Sequence, residues 1–229
     1  MSEKRILVLL SGCGVYDGAE IHESVFCMLA LDQKGLKYQC TAPDDNQHHV
    51  VNHLNGEEME ESRNMLVEAA RIARGNIRAS QDVNMEDYNG LVIPGGFGAA
   101  KNFSKWAFDG PHGELHPEAG RLIQQAHTLG KPIVAFCMSP VVIALTLRDI
   151  SPGVRLTVGS TLAPSPYEIE AIMGGMSTLG VQPEMTEVEG VIVDISNKII
   201  TSPCYMMEAS IHQVYNGIEK SIEVFAGML

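Results

Sequence analysis

Short, continuous apolar runs alternate along the chain with longer stretches of mixed pattern. Ile6 to Leu10 is apolar throughout and ends in the turn SGCG, as a strand buried on both faces would end. Asp17 and Glu20 stand at capping-box spacing and predict a helix that runs to Lys34 and stops at Gly35. The same grammar then repeats. Tyr38 to Ala42 reads as a short strand, Glu57 to Arg74 as a helix closed by Gly75, and Gly90 to Ile93 as a strand ending in PGGFG. Pro117 to Leu129 is a helix closed by Gly130, and Ile133 to Phe136 is a strand that runs without a spacer into Cys137 and a further apolar helix. Beyond it, Arg155 to Val158 predicts a strand and Tyr167 to Leu179 a helix broken at Gly174 and Gly175. Val191 to Asp194 and Ile199 to Thr201 flank SNK as a hairpin, and Met206 to Phe225 is the last helix.

Alternating strands and helices predict an α/β fold: a mainly parallel sheet covered on both faces, with a small antiparallel addition near the C-terminus. In such sheets ligands gather at the carboxyl ends of the strands. Three of these ends carry unusual chemistry: SGCGVYDGAE, PGGFGAAKN and CMSP. They are expected to face one cleft.

With 229 residues and no linker or low-complexity segment, the chain reads as one domain spanning 1–229. A formal net charge of -12 repels phosphate backbones and anionic lipid, so neither nucleic acid nor a membrane surface is an expected partner. The apolar run near the N-terminus is far too short for a signal sequence or a membrane span. Five cysteines without a CxxC pair suggest neither a disulfide framework nor a zinc site. The cytoplasm is the expected location, with the mitochondrial matrix the alternative if a transit peptide has been removed.

The stretch KPIVAFCMSPVVIALTL organises the rest. Strand, sharp turn and helix meet at Cys137, flanked at two residues on either side by the small Ala135 and Ser139, which a nucleophile elbow needs because the backbones crowd there. A thiol at the head of a helix is expected to favour the thiolate. The alternative is a buried strand-end cysteine that packs as a small hydrophobe. Gly95 and Gly96 let backbone N–H groups approach a developing oxyanion, with the N–H of Met138 as second donor. Glu23 shares a helix face with Cys27 and Ala30. If that face is buried, its carboxyl pKa is raised and it can stay protonated, hydrogen-bond a thiolate and shuttle a proton; otherwise it is a solvated first-turn acid.

Lys101 and Asn102 are candidate donors to a carbonyl or carboxylate substrate, and Arg63 and Asn64 are similar. His212 is the one histidine after the elbow and His22 borders the cleft. His48, His49 and His53 lack a second ligand set and read as a solvated loop, so no metal is expected. His112 and His116 are expected in an exposed loop, while Cys13 and Cys204 are rival thiols. Neither glycine turn matches a dinucleotide fingerprint or a P-loop, which argues against nucleotide binding. The helix after Asp17 is apolar on every side, which suggests a subunit contact and a homodimer.

SGCGVYDGAEIHE, ESRNMLVEAARIARG, IPGGFGAAKNFS, AFCMSP and TSPCYM, in that order, resemble the ElbB family (enhancing lycopene biosynthesis, or sigma cross-reacting, proteins). That family is similar to the PfpI-like branch of the class I glutamine amidotransferase-like superfamily. The resemblance implies a flavodoxin-like three-layer sandwich, an elbow cysteine at Cys137, a helix acid at Glu23 and oxyanion backbone at Gly96 and Met138. It also implies a glyoxalase-type lyase that works without a cofactor on small 2-oxoaldehydes. True amidotransferases need a His-x-Glu after the cysteine, and this sequence has none, which argues against glutaminase chemistry. The alternative is a non-enzymatic redox-sensing or partner-binding protein in which the same Cys137 is oxidised.

Overall fold

The computed structural model describes residues 4–229. Seven strands form one sheet: β1 (Arg5–Leu9), β2 (Lys37–Ala42), β3 (Ile77–Ala79), β4 (Gly90–Ile93), β5 (Ile133–Phe136), β8 (Ile192–Asp194) and β9 (Ile199–Ser202). Their order is β3-β2-β1-β4-β5-β9-β8. Every pairing is parallel except β8 with β9, the antiparallel hairpin at one edge. This is the flavodoxin-like α/β fold. Ile6 to Leu9, Leu91 to Ile93 and Ile133 to Phe136 have no solvent exposure, which is why the central strands are apolar without alternation. Two further strands, β6 (Arg155–Leu156) and β7 (Gln182–Pro183), pair in parallel as a separate small sheet.

The helices that matter for the site are α1 (Ile21–Gln33), α3 (Phe97–Lys101), α6 (Pro140–Leu147) and α8 (Ile211–Gly227), with α2 (Met65–Ile72), α4 (Trp106–Asp109), α5 (Pro117–Thr128) and α7 (Ile169–Thr178) completing the set. Helix α1 packs along α8, and α5 along α6. Among the described residues no helix is long and apolar enough to cross a membrane.

Several boundaries differ from the sequence reading. The helix expected from Glu57 begins only at Met65, because Asn64 caps it by accepting from the Val67 N–H at 3.1 Å. Residues 57–64 are instead held by isolated bridges, Val51 with Glu58 and Asn46 with Asn64. The last helix starts at Ile211 behind a capping box of Ser210 and Gln213, and Cys204 to Met206 is a separate turn of 3₁₀ helix. Helix α7 runs through Gly174 and Gly175 without a break. At α1 the cap is Glu20 alone, accepting from the Glu23 N–H at 2.7 Å, while Asp17 turns away to accept from the Val51 N–H at 2.7 Å. Nor is α1 buried all round: Ile21, Val25 and Leu29, one turn apart, are 44%, 43% and 41% exposed.

Candidate active site

Cys137 sits where β5 turns into α6, with φ of 57°, a left-handed conformation that a non-glycine residue adopts only where its surroundings hold it there. They do so with short hydrogen bonds. The Cys137 N–H donates to the Ser202 carbonyl of the neighbouring strand at 3.0 Å, and the Ser139 N–H closes the turn onto the Phe136 carbonyl at 2.9 Å. The Ser139 hydroxyl donates to the Pro94 carbonyl at 2.6 Å, which ties the elbow to the PGG turn. Pro140 opens α6 at a position that needs no N–H.

Glu23 comes from the adjacent α1 and is fully buried. Its Oε2 accepts from the Gly95 N–H at 2.8 Å and its Oε1 from the Tyr205 N–H at 3.4 Å. The Cys137 thiol faces the same carboxyl. Gly95 is what lets the two meet: a Cβ there would lie 2.3 Å from the Cys137 Cβ and 2.6 Å from Glu23 Oε2. Gly96 has φ of 98°, and a Cβ on it would lie 2.4 Å from the Gly18 carbonyl oxygen, so the PGG turn and the turn before α1 touch backbone to backbone.

Burial sets the electrostatics. It raises the Glu23 carboxyl to about 8, with the nearby Glu20 carboxyl pushing the same way and the Gly95 and Tyr205 N–H groups and the Cys137 thiol opposing. Burial also raises the Cys137 thiol well above its ordinary value, and Glu23 adds to the rise; the N–H groups of Gly96 and Met138, both aimed at the sulfur, pull it down but do not win. The helix head and burial therefore act on this thiol in opposite directions. Placement at a helix head favours the anion, yet Cys137 is only 5% exposed and faces a carboxyl, and loss of water outweighs the helix.

Of the other candidates, Met138 and Gly96 present their N–H groups to the sulfur, and Gly95 holds the acid. Asn102 does not serve a substrate: it is buried, its amide donates to the Ser11 and Asp17 carbonyls at 2.8 Å each, and its oxygen accepts from the His48 N–H. Lys101 donates to the Tyr16 carbonyl at 2.9 Å. His212 is exposed on the first turn of α8 and hydrogen-bonds Asn216, away from the thiol. Arg63 pairs with Glu61, and Asn64 is a helix cap. His116, expected in an exposed loop, caps α5 and lies 3.5 Å from Asp45. Cys204 is buried at the end of β9 with φ of 46°.

The mouth of the site was not legible beforehand. A cavity of about 520 Å³ is lined by Tyr16, Glu20, His22, Tyr167, Tyr205 and Met207 among others. Tyr205 reaches Glu23 through its N–H, and its hydroxyl meets His22 Nδ1 at 2.9 Å. Burial and the neighbouring Cys137 raise the Tyr167 phenol to about 12. The one sequence signal was that Tyr205 directly follows Cys204 at a strand end. A cavity of similar volume along α5, about 530 Å³, includes His116 and Arg121 and shares none of these residues.

A seven-stranded sheet with a left-handed cysteine at the elbow and a buried helix acid facing it invites comparison with known proteins. The model of the DJ-1/PfpI family matches residues 4–202. The chain belongs to the DJ-1/PfpI family. Within reach of it stand the human "glutamine amidotransferase-like class 1 domain-containing protein 3, mitochondrial", 40% identical over 218 residues that make up 93% of this chain and 79% of that one. The rat "ES1 protein homolog, mitochondrial" is 38% identical over 93% of this chain and 80% of its own length. Among solved structures of similar fold, an Ehrlichia chaffeensis "isoprenoid biosynthesis protein with amidotransferase-like domain" superposes with a TM-score of 0.88 at 37% identity, over 98% of this chain and 99% of that one. Drosophila melanogaster DJ-1beta, a more distant likeness at 18% identity and TM-score 0.53 over 98% of this chain and 97% of its own, shares the fold of this DJ-1/PfpI protein.

Proposed function

We propose that this DJ-1/PfpI protein is a cofactor-independent glyoxalase-type lyase of the ElbB group, converting small 2-oxoaldehydes to hydroxy acids. The observation that carries it is the contact of a buried thiol with a buried carboxyl whose pKa lies near 8, within reach of two backbone N–H donors. In the pair's singly ionised form the charge rests on Glu23 and the proton on sulfur. As Cys137 attacks the aldehyde carbon, Glu23 takes the thiol proton and the carbonyl electrons move onto oxygen. The N–H groups of Gly96 and Met138, beside the sulfur, are the donors assigned to that oxyanion. Glu23 returns that proton to the oxyanion, giving the hemithioacetal, and, ionised again, takes the proton of the former aldehyde carbon and passes it to the ketone oxygen to give the enediol; protonation of the adjacent carbon as the hydroxyl on the sulfur-bearing carbon loses its proton leaves a thioester. Water hydrolyses it to the hydroxy acid and returns the thiol.

The redox-sensing alternative uses the same thiol, and rapid peroxide oxidation of Cys137 without aldehyde turnover would favour it over the lyase. On location, the names of the human and rat relatives favour the mitochondrial alternative over the cytoplasm. The test is lactate production from methylglyoxal by the wild type, Cys137→Ser and Glu23→Gln. Both substitutions are expected to lower kcat/KM at least about 100-fold; retained turnover in Cys137→Ser would eliminate the cysteine mechanism.

A further inference from the structure

The cavity that adjoins the Cys137–Glu23 pair through Glu20 and Tyr205 has a charge pattern that the proposed chemistry does not require. Two carboxylates face it, Glu20 and Glu208, and among its described lining residues the one basic side chain is His22. That histidine is engaged: its Nδ1 meets the Tyr205 hydroxyl at 2.9 Å and lies 4.0 Å from Glu20 Oε1. Lys101, which lines a different cavity, donates to the Tyr16 carbonyl and sits 5.5 Å from the Phe97 ring centre. A ligand carboxylate or phosphate entering here would therefore meet two acids and no free cation, and such groups need one. Three aromatic rings, Tyr16, Tyr167 and Tyr205, supply apolar wall instead, and about 520 Å³ is far more room than a two- or three-carbon aldehyde fills.

We propose that this cavity admits uncharged carbonyl compounds with an alkyl or aromatic body to Cys137 and turns away carboxylate- and phosphate-bearing ones, with Glu20 and Glu208 as the charge filter. The inference rests on the lyase reading for its substrate class, but the filter itself acts on anything that reaches the thiol. It is therefore measured without turnover. The rates at which Cys137 is alkylated by neutral iodoacetamide and by anionic iodoacetate, followed peptide by peptide by mass spectrometry, are compared with the same two rates on a free thiol at the same pH.

The expected neutral-to-anionic ratio at Cys137 exceeds the free-thiol ratio by about tenfold at low salt and shrinks as salt is added. Glu208→Gln, an exposed position, and Glu20→Gln should each bring it down, and Glu208→Gln keeps the test open should loss of the Glu20 cap unfold the chain. A ratio equal to that of the free thiol, or no labelling of Cys137 by either reagent, overturns the filter. Turnover adds the second arm, with phenylglyoxal expected to be a better substrate than glyoxylate. Absent turnover with a skewed alkylation ratio would remove the lyase reading and keep the filter; brisk turnover with an unskewed ratio would do the reverse.

Discussion

Gly95 shows how narrow the tolerance is at the scale of single residues. Any side chain there would occupy the space in which the Cys137 Cβ and Glu23 Oε2 lie, 2.3 and 2.6 Å from an added Cβ. Neither neighbour can retreat, since the cysteine is held in a left-handed conformation and the acid is fully buried. Gly95→Ala is expected to destabilise the fold by about 1–3 kcal/mol, the range for overpacking a filled interior, and to separate the thiol from the carboxyl. Urea unfolding gives the first quantity and the pH dependence of Cys137 alkylation the second. An alanine variant with wild-type stability and an unchanged alkylation profile would mean that the two groups are not in contact. The same residues mark what a sequence can and cannot reveal about a site. Cys137, Glu23, Gly95, Gly96 and Met138 could be named in advance because their spacing reflects local backbone demands. The protonation of the pair could not, because it depends on how much water the segments packed around it exclude.

At the scale of elements, legibility followed the same division. The central strands were readable because burial on both faces writes an unbroken apolar run, and the β8–β9 hairpin because SNK is a turn in its own right. Helix α2 was misplaced at its start: Glu57 to Arg63 has helix-forming residues, but tertiary bridges to residues 46–51 hold it extended, and such bridges leave no periodic trace. The short α3 and α4 and the strand β3 were missed for lack of length. Where α2 begins can be checked directly. Asn64 satisfies the Val67 N–H and donates to Asp44 at 2.8 Å, so Asn64→Ala is expected to cost about 1 kcal/mol, as cap removal does. Glu60→Ala, at an exposed position before the helix, should stay within about 0.5 kcal/mol of the parent. Equal costs at the two positions would put the helix start back at residue 57.

Across the whole molecule, the buried acids tie stability to pH with a definite sign. Glu23 moves from an ordinary 4.5 to about 8 on folding, chiefly through burial. Burial raises Asp17 and Glu20 as well. A raised acid binds its proton more tightly in the folded state, so its contribution is complete below the unfolded value and lost as pH climbs through the folded one. For Glu23 that window runs from about 4.5 to about 8, and the loss is on the order of a few kcal/mol. Asp194 works the other way: hydrogen bonds from Arg155 and Asn197 outweigh its burial and hold it below its ordinary 3.8, so its contribution disappears only in stronger acid. A formal net charge of -12 at pH 7 adds self-repulsion as the remaining acids ionise. The urea midpoint is therefore expected to be higher at pH 5 than at pH 8.5. Self-repulsion is nearly the same in Glu23→Gln, which cannot ionise at that position, so the difference between parent and variant isolates the buried proton. The decline from pH 5 to pH 8.5 should shrink by about half or more in Glu23→Gln. If the variant loses as much stability as the parent over that interval, the proton is not on Glu23 at neutral pH, and the general-base role assigned to it, which requires a carboxyl poised near 8, fails with it.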